Sequence, residues 1–87
     1  MFELVLICDE EKIFEGKILE INTMTENGPI TLLPNHEPYM ARISSKISYT
    51  TEESKELSLD IKEGFIYTNG LICFAVVDKN LEYSSSQ

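Results

Sequence analysis

Cys8, His36 and Cys73 are the cysteine and histidine residues of this chain, the types used most often as zinc ligands and, with a suitable neighbour, as nucleophile and base. Zinc sites usually take cysteine and histidine ligands in local pairs, and a nucleophilic cysteine needs a base and a group that orients it. Here the three residues are single and far apart, and no flanking motif supplies an orienting group or an oxyanion hole. The sequence therefore predicts no metal site and no catalytic residue.

The acidic and glycine residues add no reactive motif. The acids fall mainly in short polar runs, where carboxylates are usually solvated (Glu10, Glu11, Glu52, Glu53 and Glu56). The four glycines, at positions 16, 28, 64 and 70, form neither a phosphate-cradling loop nor a dinucleotide fingerprint. We therefore expect no cofactor and no enzymatic activity.

The segment GPITLLPNHEP, residues 28–38, gathers all three prolines around the only histidine. Pro34 and Pro38 each bias the preceding residue towards extended geometry, and Asn35 tolerates a left-handed backbone better than most residues. These three residues predict a stiff, shaped loop that holds His36 in one place. Its imidazole would then either contact a partner or hydrogen-bond the loop backbone.

The charge of the chain limits its partners. Seven Lys and Arg residues against fifteen Asp and Glu give a net charge of −8. Such a chain has no cationic stripe to neutralise phosphates, so nucleic acid and anionic lipid are excluded as partners. No apolar run is long enough to span a bilayer, and the N-terminus has no basic flank or cleavage site typical of a signal peptide. These features indicate a cytoplasmic protein.

Two cysteines lie in apolar runs, LVLIC and LICF. Cys8 and Cys73 are therefore expected as buried free thiols, because a cytoplasmic protein seldom forms disulfides. Sequence alone leaves open whether the two thiols lie close enough to be bridged.

Period-two alternation predicts the elements that must position these residues. It indicates strands over residues 2–8, 17–23, 30–33, 39–43, 47–51, 57–61, 65–68 and 71–77. Polar runs at 9–12 and 52–55 predict turns, and Asn27-Gly28 and Asn69-Gly70 predict hairpin turns, the second of type I′. Many short strands without a helix predict an all-β fold, a small antiparallel β-sandwich or flattened barrel over residues 1–80. Residues 81–87 are expected to be a polar, frayed tail.

Four segments in this order resemble one family: residues 14–18 (FEGKI), 28–38, 63–65 (EGF) and 71–78 (LICFAVVD). The chain resembles the N-terminal domain of the epsilon subunit of the bacterial rotary ATP synthase. The resemblance covers nearly the whole chain, and the Leu-Pro-x-His-x-Pro core is its most specific part. It implies a β-sandwich and a non-catalytic rotor subunit that binds the gamma subunit and rests on the c-ring, coupling rotation to ATP synthesis. It further implies a peripheral position on the cytoplasmic face of the bacterial inner membrane and a monomer when isolated.

The resemblance also assigns interaction residues by position. Cys8, His36, Met40 and Ala41 match the gamma-facing edge, although core packing is an open alternative for Cys8 and Met40. Glu26, Asn27, Gly28 and Pro29 match the loop that faces the c-ring.

The chain departs from the family pattern at several positions. Pro29 stands where the family has a glutamate, which removes the ring-facing acid from its usual place, and Glu26 is a possible substitute. Thr31, Asn35 and Glu63 each replace a glycine. Family members usually continue into a C-terminal helical hairpin, whereas this sequence stops at Gln87, so a naturally short subunit and a shortened one are both open.

Two other classes of function remain as alternatives. A free-standing β-sandwich adaptor would bind a protein unrelated to the ATP synthase. A small metal- or thiol-dependent enzyme would need Cys8 or His36 for its activity.

Overall fold

The computed structural model describes residues 1–79, which form six strands; the tail predicted for residues 81–87 lies outside the described residues. The strands are β1 (Phe2–Cys8), β2 (Glu11–Thr25), β3 (Gly28–Leu32), β4 (Tyr39–Thr51), β5 (Glu56–Thr68) and β6 (Ile72–Lys79). Within these residues, no helix is long and apolar enough to cross a membrane.

The strands pair in the order β1-β6-β5-β4-β2-β3, and β1 also pairs with β2. Five strands thus close a ring, while β3 lies at its edge. The predicted all-β sandwich or flattened barrel is confirmed. One ladder differs from the antiparallel expectation, because β1 and β6 run parallel.

Strands β4 and β5 were each predicted as two short ones. In β4 the pairing with β5 shifts by one residue between Ile43 and Ser45, and Ser45 has a φ of 73°. In β5 the pairing with β6 shifts between Ile61 and Glu63. These are β-bulges, which bend a strand and reset its alternation without ending it. The bulges let β4 and β5 continue around the barrel.

The core consists of the inward-facing residues of the five ring strands, together with Leu32 of β3. Strand β1 alternates strictly between buried and half-buried residues, as one strand of a closed sheet does. The fully buried large side chains include Leu4, Leu6, Ile18, Ile21, Leu32, Ile47, Ile61 and Ile66. Both cysteines are buried free thiols at the two ends of this core.

Gly64 marks the closest approach of β5 to β6. A Cβ atom at this position would lie 2.5 Å from the carbonyl oxygen of Val76 and 2.7 Å from a side-chain methyl of Val77. Only glycine fits here without moving the neighbouring strand. This contact explains the glycine of the EGF motif.

The turns differ in detail from the sequence expectation. The β1–β2 turn contains only Asp9 and Glu10, both with positive φ (51° and 72°). At the β5–β6 connection only Gly70 has a positive φ, so the predicted type I′ turn is wrong. Instead, the side-chain oxygen of Asn69 accepts hydrogen bonds from the backbone N–H groups of Leu71 and Ile72 (2.9 and 3.0 Å). This is an Asx turn, which reverses the chain while Asn69 keeps a negative φ.

Candidate functional site

The proline loop, residues 33–38, is docked on the β5–β6 connection. The backbone N–H of Asn35 donates to the carbonyl of Gly70 at 3.0 Å, and Asn35 has a φ of 65°. Gly70 is buried, and a Cβ atom on it would lie 2.6 Å from the carbonyl oxygen of His36. The loop is therefore shaped by Pro34, Asn35 and Pro38 and held against a position that only glycine can occupy.

His36 is half-buried within this loop. Its Nδ1 lies 2.7 Å from the carbonyl oxygen of Glu37, so the ring donates a proton there when Nδ1 carries the hydrogen. Its ring also meets Tyr39 edge-on at 5.6 Å between centroids. The imidazole thus bonds the loop backbone, one of the two predicted alternatives, and keeps its other nitrogen for further contacts.

Two buried threonines stabilise the β5–β6 connection and the β2–β3 turn through their side-chain hydroxyls. Thr68 Oγ1 donates to the carbonyl of Ile72 at 3.2 Å and accepts the N–H of Gly70 at 3.0 Å. Thr25 Oγ1 likewise donates to the carbonyl of Gly28 at 2.8 Å and accepts the N–H of Asn27 at 3.1 Å. Both hydroxyls are fully used, so each turn is braced from inside the core.

The predicted gamma-facing residues do not form one cluster. Cys8 pairs with Val77 near the end of β6. The proline loop lies at the other end of β6, near Ile72, which is five residues away. Cys8 is therefore about 17 Å from the proline loop along the strand. Ala41 packs against the core, whereas Met40 is 68% exposed, so a core role for Met40 is wrong. The structure therefore brings only His36 and Met40 to one end of the surface.

A continuous apolar face lies on the outside of β4, β5, β6 and β1. Its first row runs Met40, Tyr67, Phe74 and Val5 across the four strands, and its second runs Arg42, Phe65, Val76 and Ile7. Phe65 is 52% exposed, Val76 49% and Phe74 41%. We call these eight residues the apolar face. Contiguous exposed apolar residues of this kind are typical of protein interfaces.

A groove of ≈ 480 Å³ adjoins the apolar face where the bulges open β4 and β5. It is lined by apolar atoms of Ile43, Phe65 and Val76 and by charged residues of both signs: Glu26, Arg42, Lys62, Glu63 and Asp78. The guanidinium of Arg42 lies 5.5 Å from the centroid of the Phe65 ring. The second row of the apolar face therefore ends in a polar rim, as interfaces commonly do.

The predicted ring-facing loop forms the β2–β3 turn. Glu26 and Asn27 are exposed at its tip, and Gly28 follows with a φ of 109°. Pro29 is exposed in β3, at the edge of the sheet, where a missing N–H donor is tolerated. Because Glu26 lines the same groove as Arg42, this turn borders the apolar face.

Both thiols are chemically quiet. Burial raises the pKa of the Cys73 thiol to about 12. The pKa of the Cys8 thiol is also raised, first by burial and then by the carboxylate of Asp9, which accepts its S–H at 3.7 Å. Raised pKa values remove the thiolate that nucleophilic or metal chemistry requires. Within residues 1–79, no three His, Cys, Asp or Glu side chains come together as a metal site.

Native Cys73 is expected to resist alkylation. A pKa of about 12 instead of 9.0 lowers its thiolate fraction at pH 8 about a thousandfold, before burial slows access further. We expect iodoacetamide at pH 8 to leave Cys73 unmodified in the folded chain and to modify it in 8 M urea, as followed by peptide mass spectrometry. Rapid labelling of Cys73 in the folded chain would contradict this account of the core.

Most of the apolar face escaped the sequence analysis. Phe65, Tyr67, Phe74 and Val76 were predicted only as strand residues, because their neighbours Ile66, Cys73, Ala75 and Val77 are apolar as well. One sequence feature could have revealed the apolar face: the nearly unbroken run of apolar residues in β6. Such a run in a sheet of this size indicates that both faces of the strand are covered.

Comparison with known proteins identifies one family. The family model described as "ATP synthase, Delta/Epsilon chain, beta-sandwich domain" matches residues 1–79. Two ATP synthase epsilon chains of Clostridium kluyveri are each 28% identical over 67 residues, which cover 76% of this chain and 51% of theirs. The chain thus spans about half the length of the curated relatives it matches.

Solved structures share the fold. A chain of the Euglena gracilis mitochondrial ATP synthase, solved as OSCP/F1/c-ring, matches with a TM-score of 0.75 at 21% identity, covering 90% of this chain and 49% of that chain. A chain of the Tetrahymena thermophila mitochondrial ATP synthase central stalk and c-ring matches with a TM-score of 0.73 at 11% identity, covering 90% and 63%. At these identities the likeness concerns the backbone fold.

Proposed function

The chain belongs to the family of β-sandwich domains of ATP synthase delta/epsilon chains, and from this premise we propose that it is a non-catalytic central-stalk subunit of a bacterial ATP synthase. In this role it binds the gamma subunit, contacts the c-ring and helps couple ring rotation to ATP synthesis. It lies on the cytoplasmic face of the inner membrane as a peripheral protein and is a monomer when isolated. The observation that carries the proposal is the family match across all six strands.

We propose that the gamma subunit docks on the apolar face together with the proline loop. Torque transfer requires a broad contact that does not slip, and an apolar centre with a polar rim supplies one. Met40 joins the two parts, because it belongs to the apolar face and lies next to Tyr39, which contacts His36. Cys8 is buried and Ala41 is half-buried, and both belong to the core or pack against it beneath this surface.

The contact with the c-ring is proposed for the β2–β3 turn. Pro29 carries no charge, and Glu26 is the only acid of the turn. We therefore assign the ring-facing carboxylate to Glu26, three residues before its position in the family pattern. The turn is braced by Thr25, so its carboxylate is presented from a fixed base.

The proposal is tested by reconstitution with the gamma subunit of the same organism. We expect a binary complex with a dissociation constant below the micromolar range, measured by calorimetry, and co-purification of both subunits with native membranes. No binding at micromolar concentration would contradict the rotor function. Recovery of the tagged chain with an unrelated protein and without ATP synthase subunits would favour the adaptor function instead.

His36→Ala is expected to weaken gamma binding several-fold while leaving the barrel folded. The substitution removes the edge-on contact with Tyr39 and the bond to Glu37, worth roughly 1 kcal/mol each, but no core contact. Binding would be measured by calorimetry and folding by thermal melting. Unchanged affinity together with an unchanged melting temperature would remove His36 from the site.

A further inference from the structure

Arg42 is the only arginine of the chain and the only charged residue of the apolar face. Its side chain is exposed, and its guanidinium lies over Phe65 at 5.5 Å from the ring centroid. Within residues 1–79 it takes part in no ion pair, since the single ion pair of that part joins Lys12 and Glu15. No side-chain hydrogen bond of Arg42 is formed there either.

A partner that covers the apolar face must also cover part of this guanidinium. An arginine carries five N–H donors and does not lose its charge, so burial without acceptors is costly. The planar donor fork matches a carboxylate with two parallel hydrogen bonds, which is the strongest arrangement open to it. Contact with Phe65 holds the fork at the groove entrance and lowers the entropy lost on binding.

We propose that Arg42 is the charged anchor of the apolar face and binds an aspartate or glutamate carboxylate of the gamma subunit. The inference rests on the proposed function and specifies the chemistry of the partner segment. That segment presents apolar side chains to Phe65, Tyr67 and Phe74 and one carboxylate at the end of the second row. The groove of ≈ 480 Å³ beside Arg42 leaves room for this carboxylate.

The acids that line the groove restrict where a carboxylate of the partner can bind. Glu26, Glu63 and Asp78 line the groove without forming an ion pair with Arg42. They repel a partner carboxylate, so it is favoured only next to one of the two cations of the groove, Arg42 or Lys62. Of these two, only Arg42 belongs to the apolar face, so a partner that covers the face meets Arg42 first. Acids around an attractive position restrict the register of the partner as well as its affinity.

The test compares the unmodified chain, Arg42→Gln and Arg42→Lys for binding to the gamma subunit by calorimetry. We expect Arg42→Gln to weaken binding about thirtyfold or more, as loss of one member of a buried charge pair does. Arg42→Lys should give an affinity between those of the unmodified chain and Arg42→Gln, because lysine keeps the charge but lacks the planar pair of N–H donors. Lys46→Gln is the matched control: it removes the same charge from the same strand, outside the apolar face, and should change affinity less than twofold.

Charge reversal completes the test. Arg42→Glu should abolish binding, and one Asp→Arg or Glu→Arg substitution in the gamma subunit should restore it. If Arg42→Gln binds like the unmodified chain, or if Glu26→Gln weakens binding as strongly as Arg42→Gln, the assignment is wrong. Failure of the unmodified chain to bind overturns the proposed function together with the assignment. Melting temperatures of all variants establish that each is folded.

Discussion

Replacing Phe65 and Phe74 together by serine is expected to weaken binding of the gamma subunit more than a hundredfold. The two rings lie diagonally at the centre of the apolar face, 52% and 41% exposed, and neither is needed to close the core. Aromatic residues at the centre of an interface contribute about 2 kcal/mol each, so two of them contribute about 4 kcal/mol, or roughly a thousandfold in affinity. The surrounding contacts recover part of that loss because hot-spot energies are not additive.

The matched control replaces two exposed apolar residues outside the apolar face, Ile13 and Leu57, by serine. Calorimetry should show an affinity within about twofold of the unmodified chain, since scattered apolar surface residues carry little binding energy. Thermal melting should show that both double variants remain folded. A loss below fivefold for the aromatic pair, or an equal loss for the control pair, would place the gamma subunit elsewhere on the barrel.

Gly64→Ala is expected to destabilise the barrel strongly, although it adds only one methyl group. The added methyl would meet backbone atoms of β6 at 2.5 and 2.8 Å, and a backbone cannot rotate away as a side chain can. Overpacking of this kind costs about 3 kcal/mol or more, a large part of the total stability of a small domain. Urea denaturation followed by circular dichroism should show a midpoint lowered accordingly, with an unchanged slope if the unfolded state is unaffected.

Gly16→Ala provides the comparison. Its added methyl would meet only the ring of Phe14, at 3.3 Å, in a half-buried part of β2. A flexible side chain can yield by a few tenths of an ångström, so we expect a change below about 1 kcal/mol. Equal stability of the two variants would show that β5 and β6 can separate at Gly64, contrary to the packing described.

The sequence predicted the fold wherever alternation was bounded by charge. Strand β1 has the predicted bounds because a mostly apolar run of seven residues is followed by Asp9 and Glu10. The division of β4 and β5 into shorter strands failed at Ser45 and Lys62, where a bulge shifts the pairing register by one residue. A single sequence does not distinguish a bulge from a loop at such a point, because both interrupt the apolar pattern in the same way.

The apolar face was harder to predict, because it depends on register across four strands. Met40, Tyr67, Phe74 and Val5 are neighbours only through three separate ladders, one of them parallel. No local pattern contains that information. The same parallel ladder separates Cys8 from the proline loop, although both match one edge in the family pattern. The left-handed backbone of Asn35, by contrast, could be predicted locally from its residue type.

The parallel ladder between β1 and β6 also governs how the chain can fold. The first strand pairs with β2 at once, but its second partner, β6, becomes available only roughly seventy residues later, so closing the ring joins the two ends of the domain. Such long-range closure loses much chain entropy before any contact repays it, which places folding in the range of milliseconds to seconds. During synthesis on the ribosome, β1 would pair with β2 on one edge, and its other edge would stay unpaired until residue 79 has emerged. The acidic Asp9–Glu10 turn and the net charge of −8 would then keep nascent chains apart during that interval.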